Sequence, residues 1–115
     1  MPPFDPTRML PLKPAHYLML LVLADGDLHG YAIKKEIARR TEGRTRLGAG
    51  SLYRSLGQLE EAGLVAESEW RPREVLDDDR RRYLTLTARG RQVAAAETDR
   101  LARLVADARA AGLSS

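Results

Sequence analysis

Four polar residues recur along one stretch of the chain at a spacing that places them on one face of a helix. They are Ser51, Arg54, Ser55 and Gln58, at positions i, i+3, i+4 and i+7. An apolar stripe on the opposite side, formed by Leu52, Leu56 and Leu59, predicts burial of that side. Hydroxyl, amide and guanidinium groups on a narrow polar face can read base edges in the major groove of DNA, Arg54 pairing with guanine and Gln58 with adenine. A solvated helix face is the alternative.

Further cations and one tyrosine are candidates for contacts with the phosphate backbone. Tyr53 lies beside the polar face, and its single hydroxyl can position a phosphate but reads little sequence. Lys34 and Lys35 are predicted to face water on the preceding helix. A later basic cluster consists of Arg71, Arg73, Arg80, Arg81 and Arg82. Because Asp77–Asp79 lie beside this cluster, local ion pairing is the alternative to phosphate contact.

The residue types argue against several other kinds of site. The chain has no cysteine, which excludes disulfides, zinc thiolate sites and thiol nucleophiles. His16 and His29 fall on different predicted helices with no matching carboxylate pattern, which favours structural roles over metal binding. No nucleophile lies beside a base, and no paired carboxylates stand in an apolar setting. We therefore expect no enzyme, no cofactor and no bound metal.

Composition indicates one small globular domain. The chain has 115 residues, of which 43% are hydrophobic and 30% charged, with a net charge of +3. Its longest apolar run, Tyr17–Ala24, is far shorter than the roughly 20 residues that cross a bilayer. The first 14 residues contain five prolines and lack the pattern of a signal peptide, so an extended arm and a cytoplasmic location are expected.

Three helices are predicted before residue 64. One spans Ala15–Ala24, the second starts at His29 and runs to about Arg40, and the third is opened by Gly48–Ser51 and ended by Gly63. The apolar residues of the second helix that we expect in the core are Tyr31, Ile33 and Ile37.

The rest of the chain predicts a hairpin and one long helix. The runs Leu64–Trp70 and Arg81–Leu86 are expected to pair as strands with a long tip. Thr87 is a plausible N-cap for a helix from Ala88 to about Ala110, which would be roughly 35 Å long. Its apolar side consists of Val93, Leu101, Leu104, Val105 and Ala108. Such a helix extends past one small domain, so we expect a second subunit to cover this stripe.

Three motifs in this order resemble the PadR family of bacterial transcriptional regulators, specifically its members with a short C-terminal region. The matching segments are Leu28–Ile33, Gly50–Val65 and Arg81–Thr87. The chain departs from the family where Gly48-Ala49 replace the usual Ser-Pro, which removes a side-chain N-cap, and where Leu84 replaces an aromatic residue. The first departure is expected to loosen the start of the recognition helix. The second is expected to be a packing substitution.

This resemblance implies a mainly α fold with a small β-wing, that is, a winged helix-turn-helix with a long C-terminal dimerisation helix. The expected division is a flexible arm over 1–14, the DNA-binding unit over 15–87, and the dimerisation helix and tail over 88–115. It also implies a homodimer that binds double-stranded DNA at a pseudo-palindromic operator, as a repressor. For some relatives it implies release by a small aromatic or apolar effector. Trp70 either lines such a pocket or packs between wing and helix.

One alternative function stays open at this point. Winged helices can hold another protein with the same surfaces, in which case the basic clusters would serve an acidic partner rather than DNA.

Overall fold

The computed structural model describes residues 3–69 and 82–114. Within these residues the chain forms four helices and three short strands. The helices are α1 (Pro14–Leu23), α2 (Gly30–Arg40), α3 (Ala49–Glu61) and α4 (Ala88–Ala110), and the strands are β1 (Leu28–His29), β2 (Val65–Glu67) and β3 (Tyr83–Leu86). The prediction of a mainly helical fold with a small β-wing and a long C-terminal helix is confirmed.

The first three helices share one hydrophobic core. Met19, Leu20, Val22 and Leu23 of α1 are almost completely buried and form its centre. The side chains packed around them from the next two helices are Ile33, Ile37, Leu52, Leu56 and Leu59. Burial of one such aliphatic side chain contributes about 1.5–3 kcal/mol, so this cluster holds α3 with its polar side facing outward.

Helix α2 begins where the sequence predicted, but one of its expected core residues is exposed. The His29 side chain is the N-cap, because its Nδ1 accepts a hydrogen bond from the Ala32 backbone N–H at 3.2 Å. Ile33 and Ile37, one turn apart, point into the core. Tyr31 is 58% exposed, so its predicted core position is wrong. It lies two positions before Ile33, about 200° around the helix and therefore on the opposite side.

The sheet contains one strand more than the sequence predicted. β3 lies between β1 and β2 and pairs with both in antiparallel fashion. Leu84 is opposite Leu28 on one side and Glu67 on the other, and its side chain is buried. The expected pairing of the two wing strands and the packing role of Leu84 are thus confirmed. The predicted long tip over 71–80 lies outside the described residues.

The segment before α1 differs from the predicted extended arm. Pro6–Met9 form a short 3-10 turn, and the Asp5 side chain accepts a hydrogen bond from the Thr7 backbone N–H at its start. The apolar residues packed against the core from this segment are Phe4, Met9, Leu10 and Leu12. This packing follows from the hydrophobic effect, because an extended arm would leave those side chains in water.

Helix α4 starts at Ala88 with Thr87 as its N-cap, as predicted. The Thr87 hydroxyl oxygen accepts from the Gly90 backbone N–H at 3.0 Å. Val93 is completely buried in the core of its own chain, which rules it out as the dimerisation residue that the sequence predicted. All residues of α4 are described, and none beyond Glu97 is fully buried. The second half of the helix is therefore the part that extends past the core.

Candidate nucleic-acid interface

Helix α3 presents the predicted polar face to solvent. Leu52, Leu56 and Leu59 are each 2% exposed and fix the inward side of the helix. On the outward side, Ser51, Arg54 and Gln58 are exposed, while Ser55 is partly buried at the edge. The structure thus brings all four predicted residues to one side of the helix. Arg54 makes no ion pair with any described residue, so its guanidinium is available to a ligand.

The start of α3 is open, as the departure from the family motif suggested. Gly48 is the N-cap residue, and no side chain caps the first turn. Side-chain carbons built on Gly48 and Gly50 would have no neighbour within 4 Å. The backbone N–H groups of the first helical turn lack intrahelical acceptors, and here they also lack a capping side chain.

Tyr53 connects the polar face of α3 to the start of α2. Its side chain is 62% exposed, yet its ring lies against Gly30. A Cβ atom at position 30 would stand 3.1 Å from Tyr53 Cε1 and 3.2 Å from its hydroxyl oxygen. A residue with a side chain at this position would therefore displace Tyr53 by a few tenths of an ångström.

Exposed aromatic and cationic groups continue along α2. The rings of His29 and Tyr31 are parallel with centroids 6.5 Å apart, and Tyr83 meets His29 edge-on at 5.3 Å. The ammonium group of Lys35 lies 5.4 Å from the centroid of the Tyr31 ring, and Lys34 is partly buried. Helix α2 thus carries an exposed tyrosine and an exposed lysine, a combination suited to phosphate oxygens.

Gln58 is held by a residue that the sequence analysis did not connect with it. The Oε1 atom of Gln58 lies 3.1 Å from Nε2 of His16, on α1. Because a carbonyl oxygen can only accept, the imidazole N–H is the donor. Partial burial lowers the pKa of His16, and the nearby charge of Lys13 lowers it further, although the bond to Gln58 opposes this shift. No sequence pattern could indicate a contact between residues 42 positions apart.

Arg82, whose predicted contact with DNA stays a prediction, lies in an ion-pair cluster. Its Nη2 atom lies 2.9 Å from a carboxylate oxygen of Glu60, and its Nε atom 3.3 Å from one of Glu67. Hydrogen bonding to Glu60 raises the pKa of Arg82, and the charges of both carboxylates add to this effect. Two anions thus neutralise this guanidinium and attach β3 to the end of α3. Arg82 is a connection between wing and helix in this arrangement.

Several predicted site residues lie outside the described residues. They are Trp70, Arg71, Arg73, Arg80 and Arg81, together with the acidic triplet Asp77–Asp79. Their roles stay predictions.

The apolar stripe on the second half of α4 is largely uncovered. Leu104 is 52% exposed and Val105 47% exposed, while Leu101 and Ala108 are partly buried on the same side. Beside the stripe lies a groove of about 480 Å³ between the 3-10 turn and α4, which is lined in part by Thr7, Leu10 and Leu104.

The described part of the chain lacks two other kinds of feature. No helix there is both long and apolar enough to span a membrane. Residues 3–69 and 82–114 also contain no group of three His, Cys, Asp or Glu side chains placed to hold a metal ion.

The arrangement of these elements defines a class of protein. Helices α2 and α3 form a helix-turn-helix with α3 in the position of a recognition helix, and two antiparallel strands follow as a wing. The fold is therefore a winged helix-turn-helix.

Comparison with known proteins identifies the family within this class. The model of the transcriptional regulator PadR-like family matches residues 19–96. The chain therefore belongs to the PadR-like family, whose members are transcriptional regulators and not enzymes. This confirms the resemblance drawn from the three motifs.

Individual proteins and solved structures are also similar to this chain. An uncharacterized 37.1 kDa protein in transposon TN4556 of Streptomyces fradiae is 44% identical over 90 residues, which are 78% of this chain and 24% of that protein. The chain thus spans about a quarter of the length of this curated relative. A PadR family transcription regulator from Clostridium difficile shares the fold with a TM-score of 0.71 at 21% identity, over 84% of this chain and 96% of that one. RosR of H. salinarum, in the complex structure of RosR-S4, gives a TM-score of 0.65 at 25% identity, over 93% of this chain and 98% of that one.

Proposed function

We propose that this transcriptional regulator binds DNA sequence-specifically as a homodimer and represses transcription from a pseudo-palindromic operator. The observation that carries the proposal is the exposed polar face of α3, whose inward side is anchored by three buried leucines. A recognition helix requires this division, because one side must be held rigidly while the other enters the major groove. Binding to chromosomal DNA in a bacterium implies a cytoplasmic location.

The polar face offers groups suited to base edges. Arg54 can donate two hydrogen bonds to O6 and N7 of guanine, and the hydroxyls of Ser51 and Ser55 can donate or accept. A good bidentate contact discriminates against the wrong base by about 1–3 kcal/mol. Tyr53, at the side of this face, and Lys35, on α2, are assigned to phosphate oxygens. They would set the register of the protein on the duplex without reading sequence.

The uncovered stripe of α4 supports the homodimer. Leu101, Leu104, Val105 and Ala108 follow helical spacing, and they lie on the half of α4 that extends past the core of its own chain. A second copy can cover the same stripe through a two-fold axis, which buries apolar surface on both subunits. Two recognition helices would then meet half-sites one helical turn, about 34–36 Å, apart. We further propose that a small aromatic or apolar effector binds between the subunits, in the groove beside Leu10 and Leu104.

Fluorescence anisotropy tests specific binding. The full chain is titrated onto its own upstream DNA and onto an unrelated duplex of equal length, each over a series of salt concentrations. We expect Arg54→Ala to weaken binding to the upstream DNA about tenfold or more and to the unrelated duplex much less. Arg109→Ala is the matched control, because it removes one positive charge near the far end of α4.

The outcomes separate the candidate functions. Equal losses on both duplexes for Arg54→Ala would mean that Arg54 touches only phosphate. Wild-type protein that binds neither duplex at low salt would overturn the DNA-binding proposal and favour a protein-interaction module.

Sedimentation tests the dimer. Leu104→Lys places a charge in the apolar stripe, so we expect it to shift the protein towards the monomer. Ala106→Lys adds the same charge on the opposite side of α4 and should leave the assembly unchanged. A Leu104→Lys protein that sediments like the wild type would contradict the assignment of this stripe to the interface.

A further inference from the structure

The hydrogen bond between Gln58 and His16 joins the polar face of α3 to the start of α1. Gln58 is exposed on α3, whereas His16 is partly buried. Their contact is 3.1 Å from Oε1 to Nε2, a good length for an N–H···O bond. An exposed glutamine normally samples several rotamers, and ordering it on binding has an entropic cost. Here the side chain is already anchored before any ligand arrives.

The same bond fixes which end of the carboxamide faces outward. The oxygen is turned towards His16, so the NH₂ group is the end left for a partner. Rotation of the amide by 180° would bring its NH₂ group against the imidazole N–H, two donors facing each other. Burial lowers the pKa of His16, which favours the neutral ring, and in that ring the contact with the Gln58 oxygen places the proton on Nε2. The orientation of Gln58 is therefore set by an element outside the helix-turn-helix.

Two cationic side chains lie near this contact. His16 and Gln58 line a groove of about 450 Å³ between the N-terminal segment, α1 and the second half of α3. Arg8 and Lys13 also line it, and both carry a positive charge. A nucleic-acid backbone that passes along the end of α3 would thus meet favourable charge at this point.

We propose that His16 is a positioning residue for Gln58 and holds its amide N–H group towards a hydrogen-bond acceptor on DNA. This inference rests on the proposed DNA-binding function. The acceptor is guanine O6 or N7, thymine O4 or a phosphate oxygen. Such a contact differs from the bidentate pairing of Gln58 with adenine that the sequence suggested, since that pairing needs the oxygen and the NH₂ group directed at one base edge.

Four variants of the full chain test the inference. Gln58→Ala removes the amide, His16→Phe keeps the ring volume but removes the N–H donor, and the double variant removes both. His16→Gln is the conservative variant, because its amide can donate in place of Nε2. Affinity is measured for the upstream operator and for every single base-pair change within one half-site. Unfolding temperatures show whether each variant is folded.

We expect Gln58→Ala to weaken operator binding about tenfold and His16→Phe about threefold to tenfold. The double variant should bind like Gln58→Ala alone, because His16 acts through Gln58. His16→Gln should bind like the wild type. If Gln58→Ala loses affinity only where one particular base pair is present, the acceptor is a base edge. If it loses the same factor of affinity on every sequence, the acceptor is a phosphate oxygen.

Two results would overturn the inference. Losses that add in the double variant would mean that His16 acts independently of Gln58, and unchanged binding by a folded His16→Phe protein would mean that it does not act at all. In both cases wild-type binding to the operator would leave the proposed function intact. Absence of binding by the wild type to any duplex would instead overturn the proposed function, and this inference with it.

Discussion

Replacement of Gly90 by alanine gives a direct test of how α4 is attached to the rest of the winged helix-turn-helix. A Cβ atom at this position would lie 2.0 Å from the Leu64 carbonyl oxygen and 2.7 Å from Leu86 Cδ1. The first of these neighbours is backbone and cannot rotate away. Since Cβ atoms in proteins do not approach such atoms closer than about 3 Å, α4 would have to retreat by roughly 1 Å from the α3–β2 junction.

The size of the effect follows from two opposing contributions. Overpacking of a well-packed site destabilises by about 1–3 kcal/mol, and a clash with backbone belongs at the upper end of that range. Alanine recovers up to about 1 kcal/mol through its higher helix propensity. We therefore expect a net loss of about 2 kcal/mol, which for a domain of this size lowers the melting temperature by roughly 8 °C.

Gly57→Ala provides the matched control, because it makes the same chemical change in α3. A Cβ atom at position 57 has no neighbour within 4 Å, so only the gain in helix propensity applies. This variant should melt about 2–4 °C above the wild type. Both proteins are compared with the wild type by thermal circular dichroism at one concentration. If Gly90→Ala melts at or above the wild-type temperature, the close approach of α4 to Leu64 is refuted.

Three further predictions concern stability. Glu97→Ala should destabilise the fold by about 2–3 kcal/mol in chemical denaturation. The reason is that the buried carboxylate accepts a hydrogen bond from the Leu12 backbone N–H at 2.8 Å and pairs with Arg100. A loss of stability below about 0.5 kcal/mol would contradict this role. Thr87→Ala should cost about 1 kcal/mol through loss of the α4 N-cap, and an unchanged unfolding midpoint would count against the cap. Burial lowers the pKa of His16 below the unfolded value of 6.5, so stability present above pH 6.5 should decline as the pH falls through the folded pKa. His16→Gln should weaken that decline, and identical pH profiles for the two proteins would refute the assignment.

Features encoded by neighbouring residues could be predicted from the sequence. The apolar and polar stripes of α3 repeat with the period of a helix, and the structure places both as expected. Thr87 was recognisable as an N-cap because a hydroxyl before a helical pattern satisfies a free backbone N–H. Each of these signals lies within a few positions of the feature it predicts.

Features that depend on distant residues could not be predicted in this way. The hydrogen bond from the Leu12 backbone N–H to Glu97 joins residues 85 positions apart, and no local sequence pattern contains both of them. Strand β1 contains two residues, too few to show the alternation of a strand. In the sequence, Val93 falls on the same side of the predicted helix as the residues of the exposed stripe. Only the three-dimensional fold shows that the first half of α4 is covered by its own chain.

The two halves of α4 connect the proposed dimer interface to the proposed DNA interface. Near its start, the Thr87 hydroxyl donates to the Gly63 carbonyl oxygen at 2.7 Å and the Thr87 N–H donates to the Leu64 carbonyl oxygen at 3.1 Å, so the helix is fixed to the end of α3. Farther along, Glu97 attaches the N-terminal segment that forms one wall of the groove beside Leu104. A ligand that changes the angle between two α4 helices would therefore change the separation of the recognition helices with little deformation in between. Disruption of the Thr87 contacts should weaken the response to an effector more than it weakens operator binding itself.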